Sequence, residues 1–211
     1  MSNLMSRVLS TGFGILAAAL AAMWTIEIVD TVVLDSELQT NGIHPREFAE
    51  LDGVLWAPFL HSNFAHLVSN SIPILVLGSL VALRGVRYWA WMTAAIIIIG
   101  GGLTWLLGGS GNHIGASGVV FGYFGALMGA AVFERRIAAL ATALVALFLY
   151  SSILVGLIPQ IGISWEGHLF GLLAGFATAR SLRTPREPEP EIDKNEPQYP
   201  WELDEPWLDS N

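Results

Sequence analysis

Gly115-Ala116-Ser117-Gly118-Val119-Val120-Phe121-Gly122 opens an apolar run that continues to Phe133. Gly118, Gly122, Gly125 and Gly129 recur along it at spacings of 4, 3 and 4. That spacing puts all four on one face of a helix. Glycine faces of this kind let helix backbones approach closely in lipid. A second run opens with Glu166-Gly167-His168-Leu169-Phe170-Gly171, and His168, Gly171 and Gly175 again share one face. If the two faces meet, Ser117 and His168 come together at the helix mouths. Small-residue patterns also merely pack helices, and a serine at a helix start is also a common cap. The histidine is harder to read as packing, because an ionisable group inside a bilayer is costly.

Composition says what surrounds this pair. The chain is 53% hydrophobic and 13% charged, with mean hydropathy +0.55. Soluble domains carry about 25% charged residues, so the deficit predicts an integral membrane protein. There is no basic patch to hold nucleic acid. With no cysteine, disulfides, thiolate metal sites and a cysteine nucleophile are excluded. The net charge of −8 is concentrated beyond Thr184, where nine acids stand against Arg186 and Lys194.

Six runs are long enough to span a bilayer: 12–33, 61–83, 88–107, 117–133, 137–158 and 167–182. This predicts an all-α integral membrane fold, a bundle of six transmembrane helices within residues 1–183. The segment between the first two runs is too polar to span and too long for a simple turn. Arg7, Arg84, Arg87, Arg135, Arg136, Arg180, Arg183, Arg186 and Lys194 all fall on one side of a six-span chain, and only Arg46 falls on the other. Basic residues favour the cytoplasmic side, so both termini are expected in the cytoplasm, with Ser117 and His168 towards the outer face of the cell membrane. The first run, with Arg7 and Ala17-Ala18-Ala19-Leu20-Ala21-Ala22, also has features of a cleaved signal peptide. Its apolar character continues past the small residues, which favours a span.

The second run begins His61-Ser62-Asn63-Phe64-Ala65-His66-Leu67-Val68-Ser69-Asn70. His66 and Asn70 are four apart and share a helix face, and both can donate hydrogen bonds beside a serine. That is what an oxyanion hole requires. On one continuous helix His61 stands about 140° round from His66, which points to another job. No His-Glu-x-x-His motif and no acidic ligand on that face favour a metal, and no cofactor is expected.

These three motifs, in this order on alternate spans, resemble those of rhomboid intramembrane serine proteases of the basic six-helix form. The resemblance covers roughly Gly12 to Leu182. It implies a serine endopeptidase in which Ser117 is the nucleophile and His168 the general base and acid, with no aspartate. His66, Asn70 and the Ser117 backbone N–H would form the oxyanion hole. Phe121 would pack against His168, where many relatives carry Tyr. Gly115, Gly118, Gly122, Gly171 and Gly175 would support the site, and His61 would fasten the first loop. Glu166 reads as a solvated loop residue. The implied partners are membrane lipid and transmembrane protein substrates, entering beside span five under a cap at 159–165. Rival readings are a catalytically inactive relative that binds membrane proteins and a small transporter using the histidines. An intact Ser117 and His168 weigh against the first, and the sparse polar residues of spans three and five against the second. The acidic, proline-rich tail 184–211 is expected to be disordered. Tyr199, Trp201 and Trp207 within it suit either a weak docking motif or a solvated remainder.

Overall fold

The computed structural model of the protein describes residues 2–183, so the acidic tail and the readings attached to it lie outside the described residues. Among the described residues the chain is helical, with one isolated antiparallel bridge between Ile43 and His113. Six long helices form the body: α1 (Ser2–Val33), α2 (Phe64–Ala82), α3 (Val86–Leu107), α4 (Ser117–Glu134), α5 (Ile137–Tyr150) and α6 (Trp165–Ser181). A 3-10 segment, Ser151–Leu157, prolongs α5. Among the described residues, five helices are long and apolar enough to cross a membrane: those containing Gly12–Val33, Phe64–Ala82, Val86–Leu107, Ser117–Glu134 and Ile137–Leu157. α6 occupies the sixth expected position but has only 17 residues. Glu166, His168, Thr178 and Arg180 dilute its apolar character.

α4 is the centre of the bundle. Of its residues 61% are buried, against 17–33% in the most apolar stretch of each other candidate span. A helix apolar on all sides belongs inside, and here its glycine face is spent on a neighbour. The most extensive helix contact is between α4 and α6. A β carbon on Gly171 would collide with the Gly118 carbonyl, and one on Gly175 with the Gly122 carbonyl. Further down, a β carbon on Gly129 would lie 2.7 Å from the Phe176 oxygen. α3 closes the third side. Its middle is a π-helical segment, Ile96–Gly100, which the apolar pattern alone does not reveal. Ile96 fills the space beside Gly122, and Gly100 meets the α6 backbone at Gly171, where a β carbon would lie 3.1 Å from Cα.

The ends of the bundle are tied by polar groups. Arg84, just after α2, pairs with Glu134 at the end of α4, and its guanidinium lies 4.6 Å from the Tyr88 ring centroid. At the opposite end the long first loop is docked rather than free. The buried Asp30 carboxylate accepts from the N–H groups of Leu38 (2.7 Å) and Gln39 (3.2 Å). Arg46 donates to the Gly108 carbonyl at 2.8 Å, and Asn112 to that of Gln39 at 2.6 Å.

Two expectations need correction here. His61 is not on the second helix, which starts at Phe64 with the Asn63 side chain accepting from the His66 N–H at 2.9 Å. It lies in the turn before that helix, and its ring packs edge-on against His66 with centroids 5.1 Å apart. Asp30, Arg46 and Asn112 also tie the first loop to the bundle. Glu166 is not a loop residue either. It sits in the first turn of α6, where a negative side chain is favoured by the exposed N–H groups, and accepts from the Gly109 N–H at 3.2 Å.

Candidate active site

Ser117 is the first residue of α4. The chain reaches it through Gly115, whose φ of +107° is a conformation that L side chains rarely adopt. Gly115 donates its N–H to the Ala57 carbonyl at 2.9 Å. A β carbon there would come within 2.6 Å of the His66 ring and 3.4 Å of the Asn70 amide nitrogen. The glycine therefore both turns the chain into α4 and leaves room for two side chains of α2.

His168 lies in the first turns of α6 and is buried. Its Nε2 is 2.8 Å from Ser117 Oγ. Its Nδ1 is 2.8 Å from the Gly156 carbonyl oxygen. A carbonyl can only accept, so Nδ1 carries the proton and Nε2 presents its lone pair to the serine hydroxyl. Phe121, one turn along α4, stacks on the imidazole with centroids 4.3 Å apart and planes inclined by 8°. Gly156 is close to both rings, since a β carbon on it would lie 2.9 Å from His168 Nδ1 and 3.1 Å from Phe121 Cζ.

His66 and Asn70 line the same open cleft as Ser117 and His168, a space of about 710 Å³. The Asn70 amide nitrogen is buried and has no hydrogen-bond partner. A buried donor left unpaired is costly unless an acceptor arrives. Ser62 Oγ lies 3.4 Å from His66 Nδ1. Ser117, His168, His66 and Asn70 thus line one cleft, and the His61 ring packs edge-on against that of His66. His61, in the turn before the second helix, is buried, and its pKa falls from 6.5 to about 4. Desolvation is the main cause, the neighbouring His66 adds to it, and the Phe59 backbone opposes it.

Three contributors escape the sequence reading. Gly156 supplies a backbone carbonyl, which no residue identity announces. His113 and Ser164 meet at the cleft rim, Nδ1 to Oγ at 2.5 Å. The signal for His113 is its position four residues before Ser117, but only the fold shows that it faces α6.

A family model described as the Rhomboid domain matches residues 49–184. The chain is 42% identical over 175 residues to an uncharacterized protein of Mycobacterium tuberculosis, a match covering 78% of this chain and 72% of that one. It has the same identity and coverage with an uncharacterized protein of Mycobacterium bovis. An uncharacterized protein of Mycobacterium leprae is 39% identical over 176 residues, covering 79% of this chain and 69% of the other. No solved structure gives a significant match. With a Rhomboid-domain match over more than half its length and several helices apolar enough to cross a bilayer, the chain is a multi-pass membrane protein and belongs to the rhomboid family.

Proposed function

We propose that the protein is an intramembrane serine endopeptidase working through a Ser117–His168 dyad. The observation that carries this reading is the 2.8 Å contact from His168 Nε2 to Ser117 Oγ, with Nδ1 committed to the Gly156 carbonyl. In a Ser-His-Asp triad the carboxylate holds the imidazole tautomer. Here a backbone carbonyl holds it, so no acid is needed. Ser117 Oγ attacks the scissile carbonyl carbon as His168 Nε2 takes the hydroxyl proton. The resulting oxyanion accepts from the Asn70 amide, from His66 and from the Ser117 N–H, which as the first N–H of a helix has no intrahelical partner. His168 then gives its proton to the leaving amine. Water attacks the acyl-enzyme as His168 takes its proton, and His168 returns that proton to Ser117 Oγ as the acyl–oxygen bond breaks.

The reading extends to topology and substrate. The one-sided placement of basic residues supports cytoplasmic termini and a site opening towards the outer face, with α6 as a short sixth span. A transmembrane substrate keeps its carbonyls in internal hydrogen bonds, so the cleaved stretch must unwind before Ser117 can reach it. Helix-weakening residues near the outer end of a substrate span meet that need. Lateral entry beside α5 is supported by its low burial. The test is cleavage of a reporter with a glycine-containing transmembrane segment by protein purified in detergent. Activity and fluorophosphonate labelling are expected in the wild type and lost in Ser117→Ala. His168→Ala is expected to lose cleavage, and Glu166→Ala to keep most of it. Undiminished cleavage by Ser117→Ala would overturn the reading.

A further inference from the structure

We infer that His113 is a positioning residue for His168, acting through Ser164; this rests on the dyad proposed above. His113 is held at both main-chain ends by the bridge to the first loop, with Ile43 N–H to His113 O at 2.9 Å and His113 N–H to Ile43 O at 3.0 Å. Its ring therefore projects from a fixed point. Nε2 lies 3.0 Å from the Gly109 carbonyl and Nδ1 2.5 Å from Ser164 Oγ. The carbonyl can only accept, so Nε2–H donates to Gly109 and the Ser164 hydroxyl donates to Nδ1.

Ser164 is the residue from which α6 starts. Its carbonyl accepts from the N–H of His168 itself, at 3.1 Å. One turn of helix thus connects the hydroxyl held by His113 to the backbone that carries the imidazole. A second contact runs in parallel, from the Gly109 N–H to the Glu166 carboxylate. This exposed contact is secondary to the part-buried His113–Ser164 bond, so the hold on the helix start rests mainly on His113. Residues 158–163, the segment before Ser164, are all exposed, Ile161 fully so. The first turn of α6 is thus held from the α3–α4 connection as well as by its backbone packing on α4. The same connection leads into Ser117, so one strip of chain fixes both members of the dyad relative to each other.

Variants at position 113 separate this role from simple packing. Asn places a polar atom near the imidazole Nδ1 and can keep the Ser164 contact; Gln reaches the Nε2 position and can keep only Gly109. Fluorophosphonate labelling of Ser117, kcat and KM for the reporter, and the melting temperature are measured for full-length His113→Ala, His113→Asn, His113→Gln, Ser164→Ala and the double alanine variant. His113→Ala is expected to lower labelling rate and kcat by about ten- to hundredfold with KM little changed, the scale of a small misplacement of a catalytic group. His113→Asn recovers most of the loss and His113→Gln does not. The double alanine variant is no worse than His113→Ala, because both changes cut one interaction. Wild-type labelling by His113→Ala, equal rescue by Gln, or additive losses would overturn the inference while leaving the dyad standing. A wild-type protein that neither labels nor cleaves would overturn both.

Discussion

Gly175 of α6 lies directly against the Gly122 carbonyl of α4, with no room for even one methyl group between them. The obstruction is backbone, which cannot rotate away as a side chain can. Gly171 meets Gly118 in the same way one turn nearer the dyad. A Gly175→Ala change must push the two helices apart, and overpacking of this kind costs about 1–3 kcal/mol. The displacement is carried to the Ser117–His168 contact. Gly175→Ala is expected to lower the melting temperature and reduce fluorophosphonate labelling together, whereas Gly102→Ala, with open space at its β position, leaves both near wild type.

Phe121 offers a finer adjustment of the same contact. Its ring lies flat on His168 and limits rotation of the imidazole about its Cβ–Cγ bond. An aromatic pair contributes about 0.5–1.5 kcal/mol beyond its area, which corresponds to roughly two- to twelvefold in rate. Phe121→Leu should therefore lower kcat several-fold without abolishing activity, and Phe121→Tyr should keep it. Kinetics on the transmembrane reporter measure both. An unchanged kcat in Phe121→Leu would show that the Gly156 carbonyl alone orients the ring.

The parts of this fold visible in the sequence are those carried by repetition. The glycines of α4 and α6 recur at helical spacing, and their meeting follows from close approach in lipid. Ser117, His168, His66 and Asn70 could be placed because each stands at the same end of an apolar run. What stayed hidden depends on where loops go. On a continuous helix His61 would stand about 140° round from His66, yet the helix begins only at Phe64, and the His61 ring packs edge-on against that of His66. Asn63 decides this by capping the helix through the His66 N–H. The π segment in α3 has no compositional mark, since Ile96–Ile99 reads as four equivalent apolar residues. Gly156 acts through its carbonyl, and His113 through a bridge between distant loops.

Asn70 carries the prediction for the oxyanion. Its amide nitrogen is buried beside Ser117 with no partner. Asn70→Ala removes a donor that the free protein does not otherwise use, so the fold should lose little. Loss of one such donor costs about a hundred- to a thousandfold in kcat when the interaction forms only in the transition state. The expected signature is a drop in kcat with KM nearly constant and an unchanged melting temperature. Asn70→Asp keeps the shape but exchanges the amide donor for a carboxylate, and should be at least as impaired. A loss confined to KM would assign Asn70 to substrate binding instead.

His61 makes stability depend on pH. Burial and the adjacent His66 hold it neutral down to about pH 4, whereas in the unfolded chain it takes up a proton near its ordinary value of 6.5. Between those values the unfolded state binds more protons than the folded one, so stability rises with pH across the window. The contribution is complete above about pH 6.5, is lost progressively as pH falls towards 4, and changes no further below that. Melting temperatures of the detergent-purified protein should decline over this interval, and His61→Phe, which fills the same aromatic site without a titrating group, should flatten the decline. An identical slope in His61→Phe would mean that another group titrates in the window and that the buried ring of His61 is not what the acid reaches first.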